Sequence, residues 1–294
     1  MDMEEQQEAA TEGGAAGPLM PRVYISADME GVAGVVTGEQ LGPKGFEYAR
    51  FRTFLTDEVL AAIQGARAAG AGEIVVSDSH GNGQNLLIER FPEDVRVVRS
   101  WPRPLMMMEG INEGFDAAFF LGYHTGSTNR SGVRAHTMSS ARLTSVRING
   151  SETSEAMINA AIAGHFGVPV GLVTGDDATV AETRAFLPEA EGAVVKRAIS
   201  FHSADSLTPA AACAHIERQA FSAVRRLGEF TPFRLDPPVE LEISFKHYRP
   251  AELLDLLPIF DRPAARTIHC SCKDILHASR VLQFVLSYEP GLEP

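Results

Sequence analysis

Cysteine is scarce in this chain: three in 294 residues, Cys213, Cys270 and Cys272, an odd number without framework spacing. That excludes a disulfide-stapled secreted scaffold and leads us to expect a reducing, cytoplasmic setting. Long hydrophobic runs are missing too. No uninterrupted apolar segment approaches the roughly 20 residues that a membrane helix needs, so no spanning segment is expected. Basic residues are outnumbered, 26 Lys and Arg against 38 Asp and Glu, and they do not cluster. The net charge of -12 repels phosphate backbones and anionic lipid, which argues against a nucleic-acid or membrane partner. The acidic stretch Met1 to Pro21 has no basic start and no apolar run, so it reads as a disordered tail and neither a signal peptide nor an anchor.

What remains is the composition of an ordinary globular protein, 45% hydrophobic and 22% charged, long enough for one or two domains. Arg22 to Ala27, Glu73 to Ser77, Val95 to Val98 and Ala117 to Leu121 read as short strands bounded by Gly, Pro or Asp. From Phe46 a helical pattern puts Phe51, Phe54, Leu55, Val59, Ala62, Ile63 and Ala66 on one face, and Gly70 is a stop signal. Leu143 to Ile148 reads as a strand closed by the Asn149-Gly150 turn, and Ser154 to Phe166 as a helix before the strand Pro169 to Val173. Strands alternating with helices predict an α/β fold with a largely parallel sheet and flanking helices. Thr208 with Pro209 opens a new helix, so we expect an α/β domain over 22–203 and a smaller α+β domain over 204–294. In the latter, Val239 to Phe245 alternates cleanly, Thr267 to Cys272 reads as a strand, and Ala251 to Leu257 and Ile275 to Tyr288 read as helices.

The polar residues fall at strand ends. Asp28 and Glu30 follow the first strand, Asp78 and His80 the second, and His124 the fourth. Open α/β sheets gather ligand groups outside the carboxyl ends of their strands, so these residues point to one site. Asp28 and Glu30, two apart, project to the same side of an extended backbone, while Gly31 and Gly34 permit a tight turn and close backbone approach. Mixed imidazole and carboxylate ligands suit zinc or a similar divalent transition metal. A pair of ions about 3.5–4 Å apart needs a bridging carboxylate and further ligands on each side. Glu155 is a candidate fifth ligand, although spacing alone does not separate it from Glu152.

Ser26-Ala27-Asp28-Met29-Glu30-Gly31, Asp78-Ser79-His80 with Asn85-Leu86, Gly122-Tyr123-His124, His136 before Met138, Glu155 with Asn159-Ala160, and Gly175-Asp176-Asp177 form an ordered set. It resembles the DppA-type D-aminopeptidases, the M55 metallopeptidases, from about Arg22 to Ser200 and more loosely beyond. The resemblance implies two zinc ions per subunit, with Asp28 as the bridging ligand and Glu30, His80, His124 and Glu155 completing the pair. It makes His136 the catalytic histidine. It also implies a short peptide substrate and a homo-oligomer, a decamer of stacked pentameric rings with the active sites facing an enclosed space. Lys196 belongs to the same pattern without an evident role. Thr125, Ala135 and an extra residue between His124 and His136 depart from it, which bears on substrate preference more than on the metal site.

Two cations would lower the pKa of a shared water toward about 7, giving a hydroxide for attack on an amide carbonyl. His136 would then stabilise the tetrahedral intermediate, move a proton to the leaving amine or act as a nucleophile. Two alternatives stand beside this reading. A dinuclear-metal phosphoesterase would need cations near the metals, for which Lys44, Arg103, Arg130 and Arg134 are candidates. A non-catalytic metal or peptide binder would have no use for His136. His269-Cys270-Ser271-Cys272 reads as ordinary strand packing ahead of a metal clip, and Met106 to Met108 as core filling ahead of a groove lining.

Overall fold

The computed structural model describes residues 20–287. The expected tail at 1–21 therefore lies almost wholly outside the described residues. Twelve strands and six α-helices follow in chain order: β1 (Val23–Ala27), α1 (Tyr48–Ala68), β2 (Ile74–Asp78), β3 (Arg96–Val98), β4 (Ala117–Leu121), β5 (Leu143–Ile148), β6 (Ser151–Glu152), α2 (Glu155–His165), β7 (Val170–Asp176), α3 (Asp177–Phe186), β8 (Glu191–Ser200), β9 (Ser203–Ser206), α4 (Pro209–Arg225), β10 (Val239–Phe245), α5 (Tyr248–Leu254), β11 (Asp261–Ala264), β12 (Thr267–Cys272) and α6 (Ile275–Ser287).

The larger sheet runs in the order β3-β2-β1-β4-β7-β8-β9. Every pairing in it is parallel except β8 with β9. β1, β2, β4 and β7 are buried along their whole length, as continuous apolar runs covered on both faces require. One face carries α1 and α4, where Leu55, Val59, Ile216 and Ala220 pack against Val23, Ile25 and Phe119. The helices approach closely because Gly65 leaves no Cβ to meet the Glu217 carbonyl, which would lie 2.1 Å from it. Tyr24, Phe120 and Val173 on the opposite face share a core with α2, α6 and the second sheet.

That second sheet is antiparallel, in the order β11-β12-β10-β5-β6. The fold is thus α/β with a largely parallel sheet plus a smaller antiparallel one. Two features cross the 203/204 division expected from sequence: β5 pairs with β10 and carries β6 on its other edge, and α4 packs against α1 and β8. β5 has the expected bounds and turn, with Asn149 (φ 50) and Gly150 (φ 78) in the left-handed conformation of a tight hairpin. Its clean strand pattern carried no information about which sheet it joins.

Strand order reverses at β1, since the chain runs outward to β2 and β3 on one side and returns to place β4 on the other. The crevice beyond the carboxyl ends of β1 and β4 is where such sheets collect ligands.

Candidate metal centre

Asp28 to Gly31 leave β1 in this crevice and turn against the end of β4. The approach is close: the Gly31 N–H donates to the Gly122 carbonyl at 2.7 Å, and a Cβ on Gly31 would lie 2.1 Å from the Tyr123 carbonyl oxygen. Gly122 (φ +67) faces the same constraint, its Cβ position lying 2.2 Å from the Asp28 backbone carbonyl oxygen. Only glycine at both places lets the two strand ends meet. Beyond β2, the Asp78 carboxylate accepts the backbone N–H of Asn85 (2.6 Å) and Leu86 (2.8 Å) and the Asn85 side-chain amide (2.8 Å). That amide also donates to the His80 carbonyl at 2.6 Å, so Asp78 and Asn85 hold the loop that presents His80. Beneath the site, Tyr123 donates to Ser26 (2.7 Å) and Asn159 to Tyr123 (2.8 Å), a buried network linking β1, β4 and α2.

Asp28, Glu30, His80, His124 and Glu155 are all buried here, and His136 is 15% exposed. Their ligand atoms fall into two groups, Asp28-Glu30-His80 and His124-His136-Glu155, each with its atoms within 4.8 Å of one another. His80 Nδ1 lies 2.9 Å from Glu30 Oε2 and 3.1 Å from Asp28 Oδ1. His124 Nε2 lies 3.4 Å from Asp28 Oδ2 and 3.3 Å from Glu155 Oε1. The two oxygens of Asp28 are therefore turned to different groups. Glu155 opens α2 behind the cap Ser154, where the helix dipole favours a carboxylate. Glu152, its rival by spacing, is exposed on β6 and bonded by Ser145.

Backbone carbonyls orient each imidazole. His80 Nε2 bonds the Leu41 carbonyl (2.7 Å), His124 Nδ1 that of Thr125 (3.0 Å) and His136 Nδ1 that of Arg134 (2.8 Å). In the neutral form that can ligate a metal, each of those nitrogens would keep the proton and the other would face the site with a lone pair. Leu41 and these carbonyls escape sequence reasoning because every residue has a carbonyl. Arg134 (φ 56) and Met138 (φ 64), on either side of His136, hold left-handed backbone that non-glycine residues seldom adopt. The His124 and His136 rings stack at 4.0 Å.

Asp28 Oδ2, Glu30 Oε2 and His124 Nε2 are buried without a hydrogen-bond partner. Burial disfavours charge on His80 and His124. The carboxylates of Glu30 and Asp28 around His80, and of Glu155 and Asp28 around His124, outweigh it and hold both well above the usual imidazole range. Burial and the neighbouring Glu30 push Asp28 up, while Glu30, despite burial, is held well below the usual range by His80. Three carboxylates and orphaned acceptors at such spacing call for positive charge, and imidazole with carboxylate is the donor set of zinc. The residues fit such ions.

A cavity of about 460 Å³ opens over this centre. Met106, Met107 and Met138 line it beside Trp101, Arg142 and Leu286. Met106 to Met108 are core residues as expected, but two of them also wall the cavity. None of the four cations expected as candidates for a phosphoesterase lines it, although Arg142 does. Arg103 is spent on Ser77 (2.8 Å) and the Asp78 carbonyl (2.7 Å), Arg134 lies over the Phe201 ring, and Lys44 borders a separate surface pocket. Cys270 and Cys272 pack inside β12 and join neither metal-capable group found among the described residues.

Residues 21–284 match the family model for the M55 peptidases, described as D-aminopeptidase. A Bacillus subtilis (strain 168) protein named D-aminopeptidase is 31% identical over 267 residues, covering 89% of this chain and 95% of its own. The solved structure described as "Zn-dependent D-aminopeptidase DppA from Bacillus subtilis, a self-compartmentalizing protease" superposes with a TM-score of 0.86 at 29% identity, over 90% of this chain and 96% of that one.

Proposed function

Because the chain belongs to the M55 family of D-aminopeptidases, and is thereby a metallo-aminopeptidase, we propose that it uses two zinc ions to release N-terminal D-amino acids from short peptides. The observation that carries the two-ion reading is Asp28, whose Oδ1 faces His80 and whose Oδ2 faces His124. Asp28 would bridge, Glu30 and His80 would complete one ion, and His124 and Glu155 the other. When bound, zinc supplies Lewis acidity for the scissile carbonyl and makes a water acidic enough to deprotonate near neutrality.

His136 falls to proton handling. Its Nε2 stands 3.8 Å from Glu155 and 4.0 Å from Glu30, farther out than the other imidazoles, and it is the most exposed of the six residues. With Nδ1–H held by the Arg134 carbonyl, Nε2 is the atom that can receive a proton and pass it to the leaving amine, or hold the developing oxyanion once protonated. The cavity volume suits a di- or tripeptide, with Trp101, Met107 and Leu286 meeting apolar side chains. The preference for D-residues rests on the names of the relatives.

We extend the proposal to a homo-oligomer, a ring-built decamer that encloses the active sites, since the structural neighbour is described as self-compartmentalizing. A cytoplasmic location accords with Cys213, Cys270 and Cys272 all being free thiols. The test is turnover of matched D- and L-Ala di- and tripeptides before and after chelation. Zinc-restorable release of D-Ala supports the proposal, and unchanged turnover in metal-free protein rejects it.

A further inference from the structure

Lys196, on β8, is buried to 2% exposure, and it neither lines the cavity nor belongs to either metal-capable group. All three of its donors are used. Nζ donates to the carbonyls of Glu30 (2.5 Å), Val32 (3.0 Å) and Val35 (2.7 Å), which bracket the turn leaving β1. That turn has two further ties: the Ala33 N–H donates to Glu58 of α1 (2.9 Å) and the Gly34 N–H to Ser206 of β9 (2.8 Å). An ammonium is the side-chain group that brings three donors to three converging oxygens from a single atom, whereas the planar fork of Arg spreads its donors apart. Burying it is costly unless the backbone there must be held.

We infer that Lys196 is a positioning residue for the metal centre, fixing the turn after β1 so that the Glu30 carboxylate faces His80 and Asp28, and thereby governing retention of the ion in that group. The inference rests on the two-ion reading above. Glu155, His124 and His136 come from other segments, and the shared Asp28 lies ahead of the three carbonyls that Lys196 holds, so the second ion depends on Lys196 less than the first. A residue that merely stabilised the fold would weaken both ions or neither.

Zinc binding would be measured by competition with a chromophoric chelator for the wild type, Lys196→Met, Lys196→Gln and a control, Ile268→Ala, in the core of the second sheet. Amide hydrogen exchange would be followed on the metal-free proteins. We expect the wild type to bind two ions and Lys196→Met to lose about 10–100-fold in affinity for one ion and clearly less for the other, with faster exchange confined to residues 30–36. Lys196→Gln, with two donors, should show the same selective loss to a smaller degree and covers the case in which the methionine variant does not fold. Ile268→Ala should lower the melting temperature without separating the two affinities. Unchanged affinities in the Lys196 variants, or an equal loss at both ions, would overturn the inference while leaving the two-ion reading intact. A wild type that binds no zinc would remove that reading and the inference with it.

Discussion

At the residue scale the centre depends on which nitrogen of each imidazole is free, and backbone carbonyls settle that. His136 differs from His80 and His124 in reach and exposure, and on that difference rests the proposal that it handles a proton while they hold ions. His136→Ala should lower kcat by about 10²–10⁴-fold with zinc content unchanged, checked by steady-state kinetics alongside elemental analysis. A parallel loss of zinc would make it a ligand, and unaltered kinetics would favour a non-catalytic binder. Asp28, Glu30, His80 and His124 were legible beforehand because each sits at the end of a strand with a clear apolar pattern. Glu155 was not separable from Glu152 by spacing, since only the burial of α2 in the core shared with the larger sheet turns one inward and leaves the other on an exposed hairpin.

The elements matter through how closely their ends approach. At Gly31 an added Cβ meets backbone of Gly122 and Tyr123, atoms that cannot rotate away. Gly31→Ala should therefore cost about 1–3 kcal/mol or more in urea unfolding and weaken zinc retention, because the β1 and β4 ends must part. Helix α1 braces the same turn through Glu58. Burial pushes its carboxyl up to about 7, although the Ala33 N–H and Lys196 pull against that shift. A raised carboxyl means that the folded protein holds more protons than the unfolded chain between roughly pH 4.5 and 7, so its contribution to stability falls as pH rises through that window. Relative to wild type, Glu58→Gln should be more stabilising at pH 8 than at pH 5, by up to about 3 kcal/mol in chemical unfolding. An equal difference at both pH values would show that the shift is absent.

At the scale of the whole molecule, enclosing the active sites requires several copies. The protein should sediment well above the mass of one chain at working concentration, and a monomer there would rule out the ring. Among the described residues no helix is long and apolar enough to cross a membrane. The sequence by itself determined the alternation of strands and helices, most of their bounds and the strand ends that carry Asp28, Glu30, His80 and His124, because local periodicity and turn chemistry are properties of short segments. The tertiary structure decided what depends on approach between distant segments. It assigned β5 to the second sheet, brought Glu155 and not Glu152 beside His124, divided the oxygens of Asp28 between two groups and gave Lys196 three carbonyls to hold. A one-dimensional pattern records which face a residue presents, and the neighbour across that face is set only when the chain closes on itself.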